Sequence, residues 1–308
     1  VGDASVYGMG KSAGNCPIEL LAMYMNDSFG KNYDINQYLE IFDTDLSQIY
    51  QKHYWGYKYN FYISAMQNCH PNYVEFLLNK KTLTITDVNT ILSGIPNDIK
   101  LLYDKDYIEN AYTEYQSRAI DDKNDLNELG KELADRSILL LGPGSSISKE
   151  SSKIDDFIRQ NNPIVISVNF NPEEFSSDYI FLSNAKRYIA LLDTDLSSAK
   201  LILTSNVTDY AKKAGYVLNY SSSIRDDIGR NDNALLLLLS NLCRIGVKKV
   251  SLAGFDGYEE NAQNYSDPSY NFAGNEEYKI GNNTVIAESL RKLGEDINIV
   301  FITETLYR

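Results

Sequence analysis

The chain has 308 residues, of which 43% are hydrophobic and 23% charged, the composition of an ordinary globular protein with length for about two domains. A formal net charge of −13 repels phosphate backbones, which excludes nucleic acid as a general partner while leaving room for a local basic pocket that takes one anionic ligand. The longest apolar run, Leu235–Leu239, falls far short of the roughly 20 residues of a membrane span and reads as the core of a helix, which excludes the membrane as a partner.

The first 30 residues have strand–turn–helix punctuation. Asp3–Tyr7 is short and partly β-branched, a glycine-rich stretch follows from Gly8 to Asn15, and Pro17 suits the first turn of a helix that carries Leu20, Leu21, Tyr24 and Met25. Ile35, Leu39, Phe42, Leu46, Ile49 and Tyr50 recur at spacings of three to four, which predicts an amphipathic helix over 35–50. Further helices are expected over 59–67, after Pro71, from the capping-box pattern Thr84–Asp87 to Gly94, and over 106–118. Residues 31–120 therefore read as all-helical, and the polar stretch 121–135 as a boundary or linker helix.

After it the pattern changes. Short β-rich runs at 137–141, 164–168, 179–182, 200–204, 247–253 and 297–302 alternate with helical segments at about 150–161, 184–192, 206–214, 231–245 and 283–294. Alternation of this kind predicts a Rossmann-like, mostly parallel sheet with helices on both faces over 136–308. The fold class expected for the whole chain is thus α/β, with an all-helical N-terminal segment ahead of that sheet.

Two constellations carry chemistry. Asp3-Ala4-Ser5-Val6-Tyr7-Gly8-Met9-Gly10, followed by Ser12-Ala13-Gly14-Asn15, resembles the metal-dependent pyruvate-aldolase and lyase barrels, a group that includes 4-hydroxy-2-oxovalerate aldolase, HMG-CoA lyase, homocitrate synthase and isopropylmalate synthase. In that group an Asp-x-Ser segment ends a late barrel strand, and a G-x-G-x-x-x-G-N loop and a helix follow. The resemblance implies that residues 1–30 are the closing strand, loop and helix of a TIM barrel, with 31–120 as the helical segment behind it. The short loop is similar to the aldolase and synthase branch; the lyase branch has a longer loop with a catalytic cysteine, and Cys16, lying after the Asn, does not take that role. Asn15 would inherit a metal-ligand role, its other reading being a cap on the following helix. The family's early-strand Asp and H-x-H pair are missing here, since the chain has only His53 and His70. One Asn does not retain a metal, so no aldolase activity is expected of this chain alone; the divalent metal, which would stabilise a pyruvate-type enolate, belongs to an intact barrel. The chain begins at Val1 without a signal peptide, as if cut from a longer protein, and the upstream barrel is expected as its partner.

The second constellation is a strand that runs into Gly142-Pro143-Gly144-Ser145-Ser146 ahead of a helix. That order places backbone N–H groups and a positive helix end around an anion, or else is a tight turn. Polar residues collect at the other strand ends: Asn169; Asn184 with Lys186 and Arg187; Asn206; Asp256. Ligands bind at those ends in open α/β sheets. Together Gly142–Ser146, Asn169, Ser183–Arg187 and Leu252–Gly257 resemble α/β domains such as bacterial sialyltransferases and a pterin-diphosphokinase-like family. That resemblance implies a nucleotide or sugar-nucleotide site formed by Gly142, Gly144, Ser145, Ser146, Asn169, Asn184, Lys186 and Asp256.

The remaining residues suggest packing. Cys69-His70 reads as a loop capping the next helix, and His53 sits in an aromatic cluster. The 24 tyrosines fill half-buried positions or interfaces. Three scattered cysteines without a C-x-x-C argue for a reducing, cytoplasmic location. The functional expectation is the C-terminal portion of an aldolase-like carbon–carbon lyase acting on a small 2-oxo acid, in carbohydrate or surface-polysaccharide precursor metabolism. The alternatives are transfer from a nucleotide-activated donor in the α/β domain, or ligand sensing without catalysis; homo-oligomerisation is left open.

Overall fold

A computed structural model describes residues 3–11, 14–117, 119–208, 214–228, 232–270 and 276–308. The chain forms two compact units, one of Val1–Leu78 with Val88–Ile108, the other of Asn79–Asp87 with Glu109–Arg308.

The first unit is helical among its described residues, apart from a two-residue parallel pairing of Ala4–Ser5 with Cys16–Pro17. Asp3–Tyr7, expected as a strand, keeps only those two residues before Val6–Gly8 coils into a 3₁₀ turn. Helices follow at Ile18–Phe29, Ile35–Ile41, Ser47–Lys52, Tyr59–Gln67 and Pro71–Asn79. The single helix expected over 35–50 is interrupted by a wider turn at Phe42–Leu46, where Thr44 and Ser47 hydroxyls donate to the carbonyls of Glu40 and Asp43. Tyr73, Val74, Leu77, Val88, Leu92 and Ile108 are buried. The hydroxyl of the buried Tyr73 binds the Ile99 and Leu102 carbonyls and accepts from the Asp104 amide, tying that exposed loop to the core.

The second unit carries a seven-stranded, all-parallel sheet: β1 Ile138–Leu141, β2 Ile164–Val168, β3 Tyr179–Leu182, β4 Lys200–Thr204, β5 Tyr216–Leu218, β6 Lys249–Ala253 and β7 Asn298–Phe301. Their spatial order is β5-β4-β3-β2-β1-β6-β7. The four strands β1 to β4 and the last two lie within a residue or two of the expected runs; β5 was not expected. Residues 209–213 of the helix expected over 206–214 lie outside the described residues, as do 229–231 at the start of the one expected over 231–245.

Strand side chains alternate between two cores. Ile138, Leu140, Ile166 and Leu252 pack with the all-round apolar helix Ala234–Arg244 on one face. Leu139, Leu141, Val165 and Ala253 pack with Ile154 of helix Ser151–Asn161 on the other. The polar stretch after residue 120 becomes the helix Lys123–Leu133, which buries Leu129 and Leu133 in the first of these cores. Asp122 and Asp125 there accept from the Asn219 and Val217 amides, capping the open edge of β5. The capping box forms as expected: the Thr84 amide donates to the Asp87 carboxylate, and the Asp87 amide to the Thr84 hydroxyl.

Candidate functional site

Strand order reverses at β1, which lies between β2 and β6, so the crevice above β1 and β6 is the topological switch point of the sheet. Two loops meet there. The Gly142 amide donates to the Ala253 carbonyl and the Gly144 amide to the Gly254 carbonyl, both at 2.8 Å. A Cβ on Gly142 or on Gly144 would lie 2.5 Å from the Gly254 oxygen, and one on Gly254 would lie 2.1 Å from the Gly142 oxygen. Gly254 also has φ +75°, a backbone most side chains resist. The glycines are therefore needed for the backbone of one loop to lie against that of the other.

This packing uses the donors that an anion would need. After Gly142 and Gly144, the Ser145 amide donates to the Asn264 carbonyl at 3.3 Å. The Ser146 amide donates to Asp256 Oδ2 at 2.8 Å, the Ser146 hydroxyl to Asp256 Oδ1 at 2.5 Å, and the Ser145 hydroxyl to Oδ2 at 3.3 Å. Asp256 thus lays its own carboxylate on the start of the short helix Ser146–Lys149. A second anion about 4 Å from that carboxylate meets a repulsion of roughly 4 kcal/mol at an effective dielectric near 20. A helix N-terminus returns at most about 2 kcal/mol. Repulsion wins, and the loop does not favour a phosphate while Asp256 holds it.

Beside the loop lies a cleft of about 160 Å³, lined by residues that include Gly144, Asn169, Arg187, Asp256, Tyr258, Tyr265 and Tyr307. Asn169, at φ +58°, turns the chain at the end of β2 and accepts from the Ser183 amide. Arg187 sits on helix Ala185–Ala190, where Asn184 is the N-cap: its side-chain oxygen accepts from the Lys186 and Arg187 amides and its Nδ2 donates to the Lys81 carbonyl. The Arg187 guanidinium donates to the Tyr270 carbonyl at 2.6 Å and lies over the rings of Tyr265 and Tyr270. Burial lowers its pKa and the surrounding tyrosines partly offset this; a guanidinium starts so high that it stays a cation at neutral pH. Burial likewise raises Tyr258 and Tyr307, keeping both phenols protonated and able to donate.

The cleft's outer wall is the segment 258–270. Tyr258 and Asn283 exchange two hydrogen bonds, the Glu259 amide donates to Asn264 Oδ1, the Ser266 amide donates to the Pro143 carbonyl, and Tyr258 and Tyr265 join hydroxyl to hydroxyl at 2.8 Å.

Of the residues selected from the sequence, Gly144, Asn169 and Asp256 line the cleft; Gly142, Ser145 and Ser146 build the loop beside it. Asn184 and Lys186 are not among the lining residues, and Arg187 takes the cationic place. Tyr258, Tyr265, Tyr307 and Asn264 were missed as site residues. For Tyr258, Asn264 and Tyr265 the only signal was an accumulation of Tyr and Asn after Asp256 in a stretch without periodicity; Tyr307, which follows the last strand, carried none.

At the other constellation, the loop closes on itself. The Asn15 amide donates to the Gly8 carbonyl and its Nδ2 to the Met9 carbonyl, both at 3.0 Å, and a Cβ on Gly14 would lie 2.6 Å from the Gly8 oxygen. Ser12 and Ala13 of this loop lie outside the described residues. Among the described residues no group of three or more His, Cys, Asp or Glu side chains is placed to hold a metal ion. His70 Nδ1 accepts from the Asn72 amide, so it caps the next helix, and burial raises the buried Cys69 thiol above its usual range. No helix among the described residues is long and apolar enough to cross a membrane. No family model, curated protein or solved structure matches this chain.

Proposed function

We propose that the α/β unit binds a nucleotide or sugar nucleotide in the cleft above β1 and β6. The observation that carries this reading is the mostly buried guanidinium of Arg187 set among tyrosine rings at the switch point of a parallel sheet. Such a cation supplies charge-assisted hydrogen bonds to a phosphate, and the phenols offer ring faces and donors to a base or sugar. A thermal-shift panel of CMP, CDP, UDP and ATP at millimolar concentration tests it. A ligand at 100 times its Kd stabilises by about 2.7 kcal/mol, which in a unit of this size raises Tm by about 5 °C or more. No shift with any of the four would remove the proposal. Turnover of a donor alongside binding would make the unit a transferase; binding without turnover would make it a sensor.

A second reading concerns the first unit. We infer that its strand–loop–helix closes an aldolase-type barrel, a part of a carbon–carbon lyase whose metal site is completed by upstream polypeptide. Support comes from the helix Ile18–Phe29, which buries only Ala22 while Leu20, Met23, Tyr24 and Phe29 are each about half exposed. A helix with that much apolar surface is one that packs against further structure. Joining the chain to its upstream coding sequence should yield divalent-metal-dependent release of pyruvate from a 4-hydroxy-2-oxo acid. An upstream sequence without an early-strand Asp and an H-x-H pair would end this reading.

A further inference from the structure

The cleft is too small as it stands for the ligand proposed for it. Its volume of about 160 Å³ falls short of the roughly 300–1,000 Å³ of sites that enclose a small molecule. We propose that its outer wall, segment 258–270, is a lid that Arg187 latches shut and that lifts before a ligand of nucleotide size enters. The size of the ligand rests on the nucleotide reading; the lid rests on how the segment is held.

None of residues 258–270 is a buried core residue, so little apolar burial fixes the segment in place. Its near end has a hinge and a post. Gly257, at φ +91°, precedes it, and Tyr258 is tied to helix Glu276–Leu293 by the two hydrogen bonds it exchanges with Asn283. The next residues are tied to one another: Asn264 binds the amide and the carbonyl of Glu259, so this stretch moves as one body. Two backbone bonds cross the seam to the glycine loop. The Ser266 amide donates to the Pro143 carbonyl at 2.9 Å, and the Asn264 carbonyl accepts from the Ser145 amide at 3.3 Å. At the far end Tyr270 meets Phe170 edge to face. Arg187 closes the seam there from helix Ala185–Ala190. Its guanidinium donates to the Tyr270 carbonyl at 2.6 Å and lies 5.9 and 5.8 Å from the ring centroids of Tyr265 and Tyr270, all groups of the lid. A charge-assisted bond and two cation–π contacts are the strongest ties the segment makes. They come from the same cation that the nucleotide reading offers to a phosphate. A phosphate that takes the guanidinium competes with the Tyr270 carbonyl, which couples filling of the cleft to release of the latch.

Amide hydrogen exchange on the ligand-free protein, read residue by residue by NMR and corrected for intrinsic rates, tests the lid without a ligand. The Ser145 and Ser266 amides bond across the seam, whereas the Gly142 and Gly144 amides bond on the sheet side, to Ala253 and Gly254. A lid that lifts as a body gives Ser145 and Ser266 one shared protection, at least about tenfold below that of Gly142 and Gly144, a comparison that needs no variant to fold. Arg187→Met keeps most of the stem and removes the latch. It should lower the protection of Ser145 and Ser266 together by about tenfold to a hundredfold and leave Gly142 and Gly144 unchanged, which also shows that the variant is folded. Four amides protected alike in the unaltered protein, or a Ser145 and Ser266 pair indifferent to Arg187→Met, would overturn the lid and its latch. Early exchange of that pair in a protein that no nucleotide of the panel stabilises would keep the lid and remove the nucleotide reading.

Discussion

Replacing Gly254 by alanine isolates the contact on which the site is built. The new methyl group would lie 2.1 Å from the Gly142 carbonyl oxygen, in a backbone with φ +75°. The left-handed conformation costs an L-residue about 1–2 kcal/mol. Relieving the overlap means moving one strand-end loop off the other, which adds about 1–3 kcal/mol, as in other overpacked sites. Gly246 supplies the control: it has φ +86° and nothing within 4 Å of an added Cβ, so Gly246→Ala carries the conformational cost alone. Both variants restrict the unfolded chain equally, so that contribution cancels between them. Gly254→Ala should therefore be less stable than Gly246→Ala by about 2 kcal/mol. Urea unfolding followed by far-UV circular dichroism measures the difference. The chain's one tryptophan, Trp55, belongs to the other unit, so its fluorescence transition should stay in place. Two variants equal within about 0.5 kcal/mol, the usual spread of an innocuous substitution, would refute the backbone-to-backbone packing.

Other consequences follow from the packing. Asp122 is 6% exposed, and it holds Arg244 through two contacts of 3.1 Å and the Asn219 amide at 2.8 Å. Burial pushes its pKa up, but the guanidinium and the amide outweigh that and hold it below the usual carboxylate range. The stability it contributes is therefore complete above the unfolded value of about 4 and is lost as pH falls through the lower folded value. Asp122→Asn should cost about 2 kcal/mol at pH 7, less than a fully buried pair because Arg244 reaches solvent, and should flatten the acid limb of the stability–pH profile. An unchanged acid limb would count against the pair. In the first unit, Tyr73→Phe removes the hydroxyl that the Leu102 carbonyl and the Asp104 amide share, and should destabilise by about 1 kcal/mol in the Trp55 fluorescence transition. A loss below about 0.5 kcal/mol would mean that those groups find other partners.

The sheet was legible because its strands are buried on both faces. Ile138–Leu141 is an unbroken apolar run ending at Gly142, and Ile164–Val168, apolar but for the buried Ser167, is bounded by Pro163 and Asn169; no amphipathic helix reads that way. Tyr216–Leu218 escaped because it is only three residues long and lies at an edge, where half its environment is helix Lys123–Leu133 and not a second strand. The glycine loop was legible as a loop, but not in its purpose. A glycine that admits a ligand and a glycine that admits another backbone leave the same mark in sequence, and only the register of β1 against β6 separates them. The tyrosine wall was illegible for a different reason. Residues 258–270 have no period, and their positions are set by long-range partners such as Pro143, Arg187 and Asn283.

The central claim is that one cleft, above β1 and β6, is where the α/β unit takes its ligand. Amide hydrogen exchange, compared with and without the most stabilising nucleotide of the panel, tests this most directly. Slower exchange should concentrate in 142–146, 169–171, 184–188 and 254–266, the segments that meet at the cleft. Protection confined to the helices of the first unit, or spread evenly over the sheet without those segments, would contradict it.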